Sequence, residues 1–347
     1  MLKDNFGRSI DYIRISVTDR CNLRCVYCMP DTIKSGCQQD GKIDIGSILT
    51  YEEIVRFVEV ASTLGIKKVR LTGGEPLVRN ALNELIRGIK AISGIEELTL
   101  TTNGQLLATM AAQLAEAGLD RVNISLDSLM PHRYSEITKG GDFNKVMAGI
   151  RAAEAAGLLP IKLNMVPMAG INDDEIEAFI RLGIKTGYQI RFIELMPTVV
   201  NEHLFSSGFI GSDEIKRRIE SKFELVPLKL RKYGPARYFS VTSHDGPEPW
   251  AKGIIGIISA VTCRFCPQCN RLRLTADGSL RPCLYSNIEV GLFDALRNKA
   301  SKEEIQNLII KAVDLKPERH NISDGNEKKD DPPTTSGAPF IMSGVGG

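Results

Sequence analysis

The sequence predicts an α/β protein: a partial (βα)6 TIM-like barrel followed by a smaller C-terminal domain with cysteines of its own. Three observations carry this expectation. Strand-like and helix-like segments alternate six times between Tyr12 and Leu195, as in a parallel sheet with crossover helices. Within the strands, apolar residues alternate with polar or charged ones. Every chemically suggestive loop follows a strand, on the side where such folds place their sites. Six units fall short of a full eight-unit barrel, and a doubly wound open sheet is the alternative arrangement.

The strands are expected at Tyr12–Val17, Lys68–Thr72, Leu98–Thr102, Arg121–Leu126, Pro160–Val166 and Gln189–Leu195. Between the first two lies a helix whose start is signalled by Thr50 and Glu53, a capping box, with Ile54, Phe57, Val58 and Ala61 as its apolar stripe. Ala- and Leu-rich stretches at Gln105–Ala117 and Phe143–Ala156 supply further helices.

Neighbouring residues of a strand face opposite sides. The apolar set (Ile13, Ile15, Val17; Val69, Leu71; Leu98, Leu100; Val122, Ile124; Ile161, Leu163; Ile190, Phe192) should therefore pack on the helices. The opposite face would carry Arg14, Lys68, Arg70, Lys162 and Arg191. An ordinary barrel fills its interior with Val, Ile and Leu, and unpaired buried cations are costly. An anionic ligand is expected among them. An antiparallel sheet with one wet face would give the same alternation, but the regular helix spacing argues against it.

The loops after the strands hold Asp19-Arg20-Cys21, Gly73-Gly74-Glu75-Pro76, Thr102-Asn103-Gly104, Ser125-Leu126-Asp127 and Glu194-Leu195-Met196. In the first, Cys21, Cys25 and Cys28 form a C-x3-C-x2-C set. Three thiolates hold a four-iron cubane while leaving one iron open; a closed zinc site wants a fourth ligand, borrowed from elsewhere. A Gly-Gly pair after a strand lets backbone approach a ligand closely. A second set, Cys266, Cys269 and Cys283, again offers three ligands, and Cys263 would close it into an all-cysteine zinc ribbon. Arg271 and Arg273 share one face of the strand that follows, a pairing whose fork geometry suits polyphosphate.

Composition excludes little but agrees. The 347 residues suggest about two domains. A net charge of +2 gives no push toward nucleic acid or membrane. No apolar run would span a bilayer, and Met1 to Asp11 resembles no targeting peptide. Eight cysteines, most of them in two tight groups, read as metal sites in a reducing compartment, hence the cytoplasm.

Together these motifs resemble the GTP 3′,8-cyclase family of molybdenum cofactor biosynthesis, within the radical S-adenosylmethionine superfamily. The resemblance spans nearly the whole chain. It runs through Ile-Ser-Val-Thr-Asp-Arg-Cys-Asn-Leu-Arg-Cys, Arg-Leu-Thr-Gly-Gly-Glu-Pro-Leu, Thr-Thr-Asn-Gly, Ile-Ser-Leu-Asp-Ser and Phe-Cys-x-x-Cys-Asn-Arg-Leu-Arg-Leu to a terminal Gly346-Gly347.

The resemblance implies a 4Fe–4S cluster on Cys21, Cys25 and Cys28 with S-adenosylmethionine at its open iron, touched by Tyr27, Gly74, Ser125 and Met196. It implies a second 4Fe–4S cluster on Cys266, Cys269 and Cys283, facing guanine. GTP would be held by Arg14, Arg70, Thr101, Lys162, Arg271, Leu272 and Arg273, with Lys68 and Arg191 nearby. A 5′-deoxyadenosyl radical would take hydrogen from C3′ of the ribose, and C3′ would close onto C8, giving (8S)-3′,8-cyclo-7,8-dihydroguanosine 5′-triphosphate. Gly346 and Gly347 would reach in for the radical step. Implied partners are GTP, a reducing electron donor and a downstream cyclic pyranopterin synthase; a homodimer is left open. Cys37 and Cys263 match no ligand position in the family.

The expected division is 1–230 for the partial barrel, 231–316 for the domain with the second cluster, and 317–347 for a charged, Pro/Ser/Thr/Asp-rich linker with the Gly-Gly tail. Two other readings fit parts of the pattern: a peptide-modifying radical S-adenosylmethionine enzyme, and a zinc-binding interaction module.

Overall fold

A computed structural model describes residues 1–28, 45–198, 201–228, 234–243, 252–263 and 265–320. Cys37, Gly346 and Gly347 lie outside the described residues, as does most of the expected linker.

Six βα units come first. Strands β1 (Tyr12–Ser16), β2 (Lys68–Thr72), β3 (Glu97–Thr102), β4 (Arg121–Ser125), β5 (Lys162–Met165) and β6 (Gln189–Ile193) alternate with helices α1 (Tyr51–Thr63), α2 (Leu82–Lys90), α3 (Leu107–Glu116), the pair α4 (Pro131–Thr138) and α5 (Phe143–Ala155), and α6 (Ile176–Thr186). Each of the six strands, and each of the three helices α1, α3 and α5 that the sequence located, starts within two residues of its expectation. The capping box opens α1: Glu53 N donates to Thr50 Oγ1 at 3.3 Å and Thr50 N to Glu53 Oε2 at 2.7 Å. Then come α7 (Glu202–Gly208), α8 (Ser212–Glu220), β7 (Phe223–Leu228), β8 (Ala236–Ser243), β9 (Lys252–Ile258), β10 (Arg271–Leu274), β11 (Ser279–Arg281), β12 (Val290–Gly291), α9 (Phe293–Arg297) and α10 (Lys302–Asp314).

The twelve strands of the described residues join one sheet in the order β12-β11-β10-β1-β2-β3-β4-β5-β6-β9-β8-β7. The sequential run β1 to β6, parallel throughout, has no reversal of strand order. Right-handed crossovers then put every helix on the same face, as in a barrel and unlike a doubly wound sheet. The expected antiparallel alternative fails for these six. Residues beyond 230 extend the same sheet at both edges: β10 adds parallel to β1, and β9 parallel to β6. The antiparallel strands lie outside these two.

The apolar parity set forms the core. Ile13, Ile15, Val69, Leu71, Leu98, Leu100, Val122, Ile124, Leu163, Ile190 and Phe192 are fully buried, clustered with Ile54, Phe57, Val58 and Ala61 of α1. Burying one such aliphatic or aromatic side chain contributes about 1.5–3 kcal/mol. The polar residues between them are thereby forced onto the other face.

Candidate active site

Parallel pairing sets the cations side by side. Arg14 of β1 lies opposite Arg273 of β10 on one side and Arg70 of β2 on the other. Arg70 faces Thr99, which faces Arg121. Adjacent strands are about 4.8 Å apart, and unit charges at that spacing repel by about 3.5 kcal/mol at an effective dielectric of about 20. Burial, with this repulsion added, disfavours the charged forms of these groups. Burial, then the neighbouring Arg273, holds Arg14 well below the usual guanidinium range. Burial and Arg271 push Arg273 down to about 10. Burial, Arg121, Arg191 and Arg70 bring Lys162 down to about 7.

Several polar atoms of this face are buried without an acceptor or donor: Nε of Arg191 and of Arg271, Oγ1 of Thr101, Nδ2 of Asn123 and the hydroxyl of Tyr12. Arg70 Nε reaches the hydroxyl of Thr99 at 3.1 Å. Lys68 and Arg121 each pair with a carboxylate. Lys68 pairs with Asp11 at 2.9 Å, so it departs from the expected set of unpaired inward charges. Arg121 pairs with Glu97.

Three contributors to this face escaped the sequence reading. Tyr12 shares Arg14's parity, and its ring lies 5.5 Å from the Arg70 guanidinium and 5.8 Å from that of Arg271. Arg121 also shared the polar parity. Tyr238 comes from β8, beyond β9. Gly256 on β9 makes this reach feasible, because a Cβ there would meet the Tyr238 ring at 3.1 Å and Arg191 Cγ at 3.2 Å. Lys162 Nζ donates to the Tyr238 hydroxyl at 3.4 Å. Nothing in the local sequence signals that long-range approach.

Leu272 lies on the other face. It is opposite Ile13, fully buried in the apolar core. Strand alternation thus separates its side chain from those of Arg271 and Arg273, and any contact with a ligand on the polar face falls to its backbone.

The first cysteine set lies past the C-terminal end of β1. Cys25, Cys28 and Cys21 are close enough to disfavour one another's ionisation. Burial dominates and pushes the Cys28 thiol up to about 12. Such thiols shed their protons when a metal takes the proton's place, so the donor set fits a metal cluster. At the same rim Tyr27 donates to Asp127 Oδ2 at 2.8 Å, and Asp127 Oδ1 accepts from Val166 N at 2.9 Å. Asn201 Nδ2 donates to the carbonyls of Tyr27 and Met196, both at 3.0 Å. Ser125 closes β4 beside Asn164. Tyr27, Ser125 and Met196 thus share the rim with the cysteines.

Gly74 also lies here, for a reason the sequence reading did not foresee. A Cβ at Gly74 would sit 2.3 Å from the Arg20 carbonyl oxygen, and one at Gly73 2.5 Å from that of Thr18. The glycines let the loop after β2 pack directly on the cysteine loop. Glu75 completes the joint: its carboxylate accepts from Thr102 Oγ1 and Asn103 N, each at 2.7 Å, and burial raises it to about 7.

The second set lies at the opposite end of the sheet. Cys269 precedes Arg271, the partner of Tyr12 at the start of β1, whereas Cys21 follows the end of β1. Antiparallel β11 runs back, with Arg281 beside Arg273, and delivers Cys283 to the same end. Cys266 feels the charges of both Cys283 and Cys269. Cys263 is exposed. Among the described residues no three Cys, His, Asp or Glu side chains converge tightly enough for a single metal ion. A cubane, being larger, spreads its thiolates wider. The arginine band lies between the two cysteine sets.

Residues 15–183 match the model of the Radical SAM superfamily, and residues 188–322 that of Molybdenum Cofactor Synthesis C. The GTP 3′,8-cyclase of Thermodesulfovibrio yellowstonii is 49% identical over 322 residues, 91% of this chain and 95% of that one. That of Heliobacterium modesticaldum is 43% identical, covering 99% of both chains. In fold, the chain is similar to a crystal structure of Streptococcus suis SuiB bound to S-adenosylmethionine. The TM-score is 0.55 and the identity 13%, covering 86% of this chain and 67% of that one. The chain belongs to the GTP 3′,8-cyclase family, a branch of the Radical SAM superfamily.

Proposed function

We propose that this protein cyclises GTP to (8S)-3′,8-cyclo-7,8-dihydroguanosine 5′-triphosphate, the first step of molybdenum cofactor biosynthesis. The observation that carries the proposal is the band of inward cations bracketed by two three-cysteine sets at opposite ends of one sheet. Membership of the superfamily implies one 4Fe–4S cluster and S-adenosylmethionine, assigned here to Cys21, Cys25 and Cys28. A second 4Fe–4S cluster is assigned to Cys266, Cys269 and Cys283. We read 1–230 as the S-adenosylmethionine half, 231–316 as the half with the second cluster, and 317–347 as the tail that brings Gly346 and Gly347 to the site.

A cluster on Cys21, Cys25 and Cys28 with S-adenosylmethionine bound would supply, after taking one electron from a reducing donor, a 5′-deoxyadenosyl radical able to take hydrogen from C3′. All else falls to the chain. Tyr27, Gly74, Ser125 and Met196 hold S-adenosylmethionine at the rim, with Tyr27 fixed by Asp127 and Asn201. Arg14, Arg70, Lys162, Arg271 and Arg273 neutralise the triphosphate, and the Thr101 hydroxyl and the Leu272 backbone add hydrogen bonds. Guanidinium forks grip phosphate in a fixed orientation, which would hold the ribose and purine of the substrate in one orientation for ring closure. Closure onto C8 is balanced by one electron and one proton, for which the reading requires a reducing donor. The product passes to cyclic pyranopterin synthase, in the cytoplasm.

Anaerobic incubation with reductant, S-adenosylmethionine and each nucleoside triphosphate in turn tests the reading. Mass analysis should find 5′-deoxyadenosine and an isomer of GTP in equal amounts, with GTP alone. Equal 5′-deoxyadenosine with every triphosphate and no cyclised nucleotide would overturn it.

A further inference from the structure

Lys316, two residues past α10, is only 4% exposed. Its ammonium donates to the Arg271 carbonyl at 2.9 Å and to the Pro282 carbonyl at 2.5 Å, and its charge favours the ionised form of the Cys269 sulfur. These carbonyls stand two residues after Cys269 and one before Cys283. No carboxylate pairs with Lys316 among the described residues. A buried cation without a counter-charge is costly, and two carbonyl dipoles would serve a neutral donor equally well. Arg8, the neighbouring buried cation, shows the contrast. It binds the carbonyls of Cys266, Pro317 and Glu318 at 2.9, 2.6 and 2.8 Å, but it has its own anion, Asp4, at 2.5 Å.

We propose that Lys316 is the counter-ion of the second cysteine set: a positioning residue that fixes the backbone beside Cys269 and Cys283 and holds a positive charge against their cluster. The inference rests on the reading that Cys266, Cys269 and Cys283 carry a 4Fe–4S cluster. Such a cluster with three thiolates is an anion whose negative charge grows by one on reduction. A fixed ammonium favours the reduced form and raises the midpoint potential, since charge and hydrogen bonds to sulfur tune these clusters. It also makes the site selective for an anionic group over a neutral one.

The test uses the reconstituted full-length chain with Cys21→Ala, so that the second cluster gives the only signal. Iron per chain and an EPR-monitored redox titration are read for Lys316→Met and Lys316→Arg. The expected result is a midpoint moved to more negative potential in Lys316→Met and restored toward the parent in Lys316→Arg. Loss of iron from Lys316→Met alone supports the inference too, because the variant that keeps iron retains both the charge and the donors to the two carbonyls. An unchanged midpoint in Lys316→Met with full iron overturns it. So does equal loss of iron from both variants, the mark of a purely structural lysine. A Cys283→Ala chain that keeps all its iron overturns the cluster reading itself, whatever the lysine variants do.

Discussion

Lys162 shows how one side chain can report on the whole band. Burial and three arginines hold it at about 7, far below the ordinary lysine value of about 10.4. A triphosphate beside it reverses the local field and raises its pKa, so the bound state carries a proton that the free protein has already shed above about pH 7. By linkage, affinity is flat below that pH and falls above it, by up to about tenfold per pH unit. GTP binding by the anaerobic protein should therefore take up close to one proton at pH 8, seen as a dependence of the calorimetric heat on buffer ionisation. In Lys162→Gln the dependence should vanish, along with part of the affinity. Equal heats in all buffers for the parent chain would remove Lys162 from the phosphate site. For folding the sign is opposite: without ligand the depressed pKa makes stability rise with pH between about 7 and 10, because the unfolded chain binds the extra proton.

At the scale of elements, the rim is assembled by loops that touch through a few buried polar groups. Asn201 is the clearest. Its Nδ2 ties the carbonyls of Tyr27 and Met196, from the loops after β1 and β6, while its Oδ1 accepts from Thr198 N at 2.8 Å. Asn201→Asp keeps the acceptor and leaves two carbonyls without a donor, at a cost of about 1–3 kcal/mol. If half of that appears in the bound geometry, S-adenosylmethionine affinity falls by about twofold to somewhat over tenfold, with the iron on Cys21, Cys25 and Cys28 retained. Equilibrium binding with the cluster-loaded protein checks this, and an unaltered affinity would show that the two loops hold each other without Asn201. Glu194 makes a similar joint elsewhere, accepting from Ser212 N at 2.6 Å and Val261 N at 2.7 Å. It lies in a loop that the sequence marked as chemically suggestive, yet its carboxylate is occupied by backbone amides and the Thr262 hydroxyl.

Those joints mark what could and could not be read from the sequence. Alternation of period two is local, so Arg14, Arg70, Lys162 and Arg191 were legible one strand at a time. Arg271 and Arg273 join them only because β10 pairs with β1, some 260 residues earlier, and no local pattern encodes such pairing. Tyr238 depends on the missing side chain of Gly256, and Lys316 on the path of the chain after α10. Gly74 was legible as a glycine that must be small, but what it approaches is backbone of the neighbouring loop.

The whole molecule separates two cysteine sets by the length of a strand and fills the interval with cations, so the two ends should be independently breakable. Cys21→Ala removes a thiolate from the rim that also holds Tyr27 and Met196. Cys283→Ala removes one from the end that holds Arg271. Reconstituted protein should carry about eight irons, as two cubane clusters require, and each variant should lose roughly half. Ligand binding should divide the same way. Cys21→Ala should fail to bind S-adenosylmethionine while its GTP affinity is little changed, since the arginines lie below the rim on strands it leaves intact. Cys283→Ala should bind S-adenosylmethionine as the parent does and GTP more weakly, having lost the group at the base of the band. Neither variant should cyclise GTP, for opposite reasons. Iron analysis with two binding titrations on each variant decides the matter. Loss of both ligands from either one would mean that the sheet transmits damage from end to end, and the two sites would have to be treated as a single cooperative unit.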